Sequence, residues 1–146
     1  MNDDRLRQFI DTNILVYAYD ETAGDKRARA NRLMRDLWQD ENGCLSIQVL
    51  QEFFVTVTNK IAQPVMAETA AQIIDDLGLW EVHSPQTKDI LTAIRLQSHY
   101  KISFWDAMII ASAQQMACPI LWSEGLNNGQ DYGGVVVRDP FRESTL

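Results

Sequence analysis

The sequence predicts an α/β fold: a three-layer α/β/α sandwich around a mainly parallel sheet, formed by residues 1–146 as one domain. Three observations predict it. Short apolar runs alternate with segments of helical periodicity along the chain, the pattern of a parallel sheet covered on both faces. No repeat, low-complexity tract or Pro/Gly/Ser linker divides the 146 residues. An acid, Asp11, stands where the first apolar run stops, and open α/β sheets place ligands and metals at the carboxyl end of such a strand.

Taken in order, Leu6-x-x-Phe9-Ile10 reads as a short buried strand, and Ile14-Leu15-Val16-Tyr17-Ala18 as the start of a helix or tight turn over the sheet. Polar Asp20 to Asp25 is a loop. Residues 26–38 place Ala30, Leu33, Met34, Leu37 and Trp38 at helical spacing. Gly43 marks a turn, Cys44-Leu45-Ser46-Ile47 a strand, and Gln48 to Lys60 a helix with Val49, Phe53, Val57 and either Leu50 or Phe54 as its buried stripe. Pro64 ends that segment. Met66 to Leu77 forms a helix closed by Gly78, and Leu79-Trp80-Glu81-Val82-His83 is a third strand. Ser84 and Pro85 suit the N-cap and first position of a helix running to about Tyr100. Ser103-Phe104-Trp105-Asp106 leads into the most apolar helix, from Ala107 to Ala113. Cys118 to Ser123 is a fourth strand, Gly125 to Gly134 a loop, and Val135-Val136-Val137 a last strand.

Composition sets limits. An apolar share of 46% suits a folded globule of this length with a sizeable core. The longest apolar runs are too short to cross a membrane, and Met1-Asn2-Asp3-Asp4-Arg5 lacks the pattern of a secretory signal. Cys44 and Cys118 make neither a disulfide framework nor a zinc ligand set, and their apolar neighbours suggest small buried thiols in strands. A reducing cytoplasm is the simplest compartment. The formal net charge of −7 argues against a nucleic-acid partner unless an acidic pocket holds divalent cations that bind phosphate for it. Lys26, Arg27, Arg29, Arg32 and Arg35, five of 13 basic residues, fall within ten positions of one helix. That is either an ordinary solvated face or a phosphate-contacting edge.

Asp11, Glu52 and Asp106 are 41 and 54 positions apart, so only the fold brings them together. Each begins an element packed on the sheet or sits on its inner side. Clustered carboxylates repel and are costly to bury, and a divalent cation makes such a cluster favourable. Oxygen-rich sites suit Mg²⁺ or Mn²⁺, which keep waters and bind phosphate. One or two such ions can activate a water and stabilise the leaving oxygen of a phosphodiester. Each acid also has a plainer reading. Asp11 suits an N-cap, Asp106 a capping box with Ser103, and Glu52 a partly exposed helix position. Asp36, Asp40, Asp75, Asp76 and Asp89 read as solvated helix-face residues. His83 and His99 are scattered and read as structural or exposed. The four tryptophans fit core and interface packing, with Trp105, next to Asp106, as the exception to watch.

Together, Phe9-Ile10-Asp11-Thr12-Asn13-Ile14-Leu15-Val16-Tyr17, Ser46-x-Gln48-x-x-x-Glu52-Phe53, Ser103-x-x-Asp106-Ala107 and Leu121-Trp122-Ser123-Glu124-Gly125-Leu126 resemble the PIN-domain ribonucleases, and within them the VapC-type toxins of toxin–antitoxin pairs. The resemblance covers nearly the whole chain. It implies metal-binding acids at the carboxyl edge of the sheet, Mg²⁺- or Mn²⁺-dependent cleavage of RNA, homodimerisation, and inhibition by a small antitoxin that binds DNA. By position it makes Asp11, Glu52 and Asp106 the metal-binding acids. Thr12 and Asn13 become the polar residues after the first acid, and Ser123 the catalytic hydroxyl near the fourth.

The fourth acid is where the chain departs from the pattern. Similar toxins place Asp two residues after the Ser or Thr, and here that residue is Gly125. Glu124 and Asp131 are the substitutes on offer, though Glu124 points elsewhere if the backbone register is retained. Gly125 implies weaker metal affinity, a one-metal site or an inactivated variant. The leading expectation is therefore a metal-dependent endoribonuclease in which Asp11, Glu52 and Asp106 hold the ion, with Ser123 and Asn13 orienting waters or phosphate oxygens. The competing one is a PIN-fold module that binds RNA or antitoxin without efficient cleavage. A haloacid-dehalogenase phosphatase is discounted, because that chemistry wants a second Asp where Asn13 stands.

Overall fold

The computed structural model describes residues 6–142; the signal-sequence reading of residues 1–5 lies outside them. Six strands form one sheet: β1 (Gln8–Ile10), β2 (Gly43–Ser46), β3 (Glu81–His83), β4 (Ile120–Trp122), β5 (Asp131–Tyr132) and β6 (Val135–Arg138). Their order is β3-β2-β1-β4-β6-β5, and every pairing is parallel except β5 with β6. Six helices connect them: α1 (Thr12–Tyr19), α2 (Asp25–Asp40), α3 (Ile47–Asn59), α4 (Ala67–Leu77), α5 (Thr87–Tyr100) and α6 (Phe104–Gln115).

Topology explains the layers. The crossovers β1 to β2 and β2 to β3 move one way along the sheet, and β3 to β4 moves back past β1. Right-handed crossovers therefore put α1–α4 on one face and α5–α6 on the other. Strand order reverses between β1 and β4, which is the switch point where α/β sheets open a crevice at their carboxyl ends. Phe9, Ile10, Leu45 and Leu121 in the strands are fully buried between Ile14, Leu15, Phe53, Ile109 and Ile110 from the helices. Among the described residues no helix is long and apolar enough to cross a membrane.

The expected alternation is present, with corrections at the element ends. Leu6 is exposed and precedes β1. Ile47 opens α3 instead of closing β2, because Ser46 caps the helix by accepting from the Val49 N–H at 3.4 Å. Leu50, not Phe54, completes the buried stripe of α3. Leu79 is 81% exposed and Trp80 lies in the turn, so β3 is only three residues long. Ser84 and Pro85 do not start a helix. α5 begins at Thr87, and the Asp89 carboxylate closes its first turn by accepting from the Gln86 N–H at 2.7 Å. Asp89 is accordingly buried, not solvated, with His83 Nε2 at 3.3 Å and that ring's Nδ1 2.9 Å from Ser112 Oγ. Trp38 is partly exposed and packs edge-on to Trp80. Cys44 and Cys118 are buried as free thiols, Cys118 just before β4. The glycine-rich loop contains β5, which seats Tyr132 in the core.

Candidate active site

β1 and β4 run side by side with Ile10 opposite Trp122, and each delivers one polar residue past its end. The Asp11 N–H bonds to the Trp122 carbonyl at 3.0 Å, and the Ser123 N–H to the Arg138 carbonyl at 2.9 Å, so both residues are held by the sheet. Asp11 is also the N-cap of α1: Oδ1 accepts from the Thr12 N–H at 2.7 Å. Its Oδ2 accepts from the Ser123 hydroxyl at 2.8 Å. The capping reading and the ligand reading of Asp11 coexist, because each carboxylate oxygen keeps a lone pair.

Glu52 comes from the second turn of α3, half-buried. Oε1 accepts from the Thr12 hydroxyl at 2.6 Å and Oε2 from Gln48 Nε2 at 3.1 Å. Gln48 Nε2 also reaches the Trp105 carbonyl at 3.2 Å, which ties α3 to the start of α6. Asp106 lies in the first turn of α6, where its N–H donates to Ser103 Oγ at 3.0 Å; Ser103 caps the helix, but the capping box expected from the sequence is only half formed, since no return bond to the Asp106 carboxylate is made among the described residues. Asp11, Glu52 and Asp106 thus line one open cleft of about 530 Å³, together with Asn13 and Lys60.

The electrostatics are those of an acid cluster. Burial pushes the Asp11 carboxyl from 3.8 up to about 6 against the Ser123 and Thr12 hydrogen bonds, and the charges of Asp106 and Glu52 add to the rise. Burial also raises Asp106, with the Glu52 charge contributing. Among the described residues no three potential ligands stand close enough to grip a bare ion. The donors are carboxylates and hydroxyls with no thiol or imidazole, a set that fits a hard cation keeping part of its water shell.

The region of the fourth acid is equally defined. Glu124 turns away from Asp11: Oε1 accepts from the Tyr17 hydroxyl at 2.8 Å, and Oε2 pairs with Lys26. Asp131 spends Oδ1 on the Gly134 N–H at 2.7 Å in the edge hairpin. A Cβ on Gly125 would meet only Asn13 Nδ2, at 3.5 Å, an ordinary contact. Asn13 in turn accepts from the Glu124 N–H at 3.2 Å, and Ser123 Oγ from the Gly125 N–H at 3.2 Å.

The basic helix face is not a uniform cationic edge. Lys26 is committed to Glu124, and Arg29 donates to the Pro140 carbonyl at 3.2 Å. Arg29 and Arg32 share their groove with Asp25, Asp36 and Asp40. Trp105, beside Asp106, is 61% exposed. Sequence reasoning missed Gln48 as a brace of Glu52, and missed Lys60 in the cleft. The four-residue interval from Gln48 through Glu52 and Thr56 to Lys60 was the available signal.

Comparisons with known proteins follow the same lines. No curated protein matches the chain by sequence. Among solved structures it is similar to a toxin–antitoxin complex from Klebsiella pneumoniae, at 20% identity and TM-score 0.65 over 88% of this chain and 95% of that one. It is similar to FitAB bound to a DNA fragment, at 17% identity and TM-score 0.71 over 94% and 98%. A third is VapC20 of Mycobacterium tuberculosis, described as a toxin cleaving the sarcin–ricin loop, at 19% identity and TM-score 0.59 over 78% and 86%. These likenesses are of fold. The PIN domain family pattern matches residues 9–126, from the strand before Asp11 to the residue after Gly125, and the chain belongs to the PIN domain family.

Proposed function

We propose that the chain is a metal-dependent endoribonuclease that hydrolyses RNA phosphodiester bonds, and that it serves as the toxin of a toxin–antitoxin pair. The observation that carries the nuclease reading is the meeting of Asp11, Glu52 and Asp106, from three separate elements, in one cleft at the switch point of the sheet. The toxin reading is supported by complexes that share this fold, one described as a toxin–antitoxin complex and two as VapBC assemblies bound to DNA. It carries with it a cognate antitoxin partner, a homodimer and a cytoplasmic location.

Asp11, Glu52 and Asp106 would hold Mg²⁺ or Mn²⁺. The bound ion supplies Lewis acidity toward a water and the scissile phosphate. The chain's own part is orientation. Ser123, fully buried, fixes the Asp11 carboxylate and so acts as a positioning residue. Thr12 links Asp11 to Glu52, and Gln48 holds Glu52 against the backbone of Trp105. Asn13 holds the backbone that carries Gly125.

A second reading is favoured by one observation: neither Gly125, Glu124 nor Asp131 offers a free carboxylate at the fourth position. The chain would then bind RNA or antitoxin with little cleavage. Incubating purified protein with end-labelled total RNA in Mg²⁺ or Mn²⁺, beside Asp11→Asn and Gly125→Asp, separates the two. Metal-dependent cutting that disappears in Asp11→Asn supports the nuclease. Cutting only by Gly125→Asp supports the weakened module, and cutting by neither refutes the nuclease.

A further inference from the structure

We propose that Lys60 is the phosphate-contacting residue of the cleft, holding an RNA phosphate that flanks the one facing Asp11, Glu52 and Asp106. The inference rests on the nuclease reading and assigns the substrate's backbone a place in it. Glu52, Thr56 and Lys60 follow one another at four-residue intervals, so they lie along one side of α3 and its C-cap. Glu52, Thr56, Lys60 and Asp11 all line the cleft. Eight residues of helix put the Lys60 backbone about 12 Å along the axis from Glu52. Its long stem reaches part of that distance, so the ammonium serves a neighbouring phosphate instead of the acid cluster itself.

Charge makes the assignment specific. The cleft carries four carboxylates, Asp11, Asp20, Glu52 and Asp106, and Lys60 is the basic residue among the groups that line it. Asp20 already receives the Thr22 N–H at 2.9 Å and the Thr22 hydroxyl at 2.7 Å. Lys26, the next cation in this region, is locked to Glu124 and lies over the Tyr17 ring. Lys60 is exposed and makes no ion pair among the described residues. A plainer role is complementing the dipole at the end of α3. That role would affect folding, but not how RNA binding depends on salt.

The experiment compares the parent with Lys60→Gln, Lys60→Arg and a control, Lys88→Gln, which alters an exposed lysine of α5 outside the cleft. Anisotropy of a fluorescein-labelled single-stranded oligoribonucleotide in Mg²⁺, over a series of salt concentrations, gives affinity and its salt slope. Cleavage in Mn²⁺ gives KM and kcat, and thermal melting reports folding. Lys60→Gln should bind severalfold more weakly, with a salt slope shallower by about 1, and with the loss in KM instead of kcat. Lys60→Arg should restore binding, and Lys88→Gln should match the parent. A Lys60→Gln protein with the parent's affinity and slope overturns the proposal and leaves the nuclease reading intact; a lysine that serves only a protein partner gives this result. A parent that neither binds nor cuts RNA overturns both.

Discussion

Replacing Asp11 by Asn should abolish cleavage and, in the absence of metal, stabilise the protein. The folded chain holds the Asp11 proton to about pH 6, whereas an unfolded one releases it near 3.8. Between those values the folded state binds more protons, so stability falls as pH rises and the cost is complete above pH 6. The rise from 3.8 to about 6 corresponds to about 3 kcal/mol. Asn keeps the shape: its oxygen takes the Thr12 N–H, and its amide faces Ser123 Oγ, a hydroxyl that turns to accept. At about 2–4 °C per kcal/mol for a chain of this length, Asp11→Asn should melt about 6–12 °C above the parent at pH 7.5 in EDTA. At pH 4 the two should melt within a few degrees of each other. Asp106 rises in the same direction, so the difference between the two proteins is the quantity to follow, not either curve alone. Adding Mg²⁺ should raise the parent and close the gap. An Asp11→Asn protein less stable than the parent by the same amount at both pH values would refute the reasoning, because the carboxylate would then be a net stabiliser.

Two other changes test neighbouring contacts. Ser123→Ala removes a buried donor to Asp11 and leaves the Gly125 N–H without its acceptor. Thermal melts at pH 7.5 should show a loss of about 1.5–3 kcal/mol, and the pH at which cleavage sets in should move upward as Asp11 holds its proton more tightly. Gly43→Ala sets a Cβ 2.3 Å from the Trp80 ring. It should lower the melting temperature by the equivalent of about 1–3 kcal/mol while sparing cleavage, since Gly43 is at the opposite end of β2 from Ser46.

The sheet, its parallel character and the acids at its carboxyl edge were legible because each depends on pattern: alternating apolar runs, and a carboxylate where a run stops. What escaped depends on contacts that periodicity does not register, some across the fold and some within a few residues. Asp89 sits on a helix whose sequence looks solvated, and only the approach of His83 and the Gln86 N–H gives it buried partners. Ser84-Pro85 has the composition of a helix start, yet Gln86 and Asp89 close the first turn two residues later. β5 is two residues long, too short for periodicity to register, and it exists because Val135 and Val136 pair back onto it. Lys60 carried no motif, and its importance comes from the acids that face it.

The fourth position shows how strand geometry decides what a sequence offers. Beyond β4, Ser123 turns inward to Asp11, Glu124 outward to Tyr17 and Lys26, and Gly125 back beside Asn13. An acid at 124 is therefore no substitute for one at 125, although the two are adjacent in sequence. Glu124 is engaged by a cation and a phenol, and freeing it would break an ion pair and strand Lys26. The vacancy at 125 is open to repair, because its backbone is not in the left-handed region and a Cβ there meets only an amide at contact distance. An acid there would add a fourth carboxylate to the proposed set of Asp11, Glu52 and Asp106. Each acid added to an already repulsive group raises the cost of the metal-free state. On the proposed metal-binding reading, Gly125→Asp should raise the protein's affinity for Mg²⁺ or Mn²⁺, read by titration calorimetry, and lower its melting temperature in EDTA.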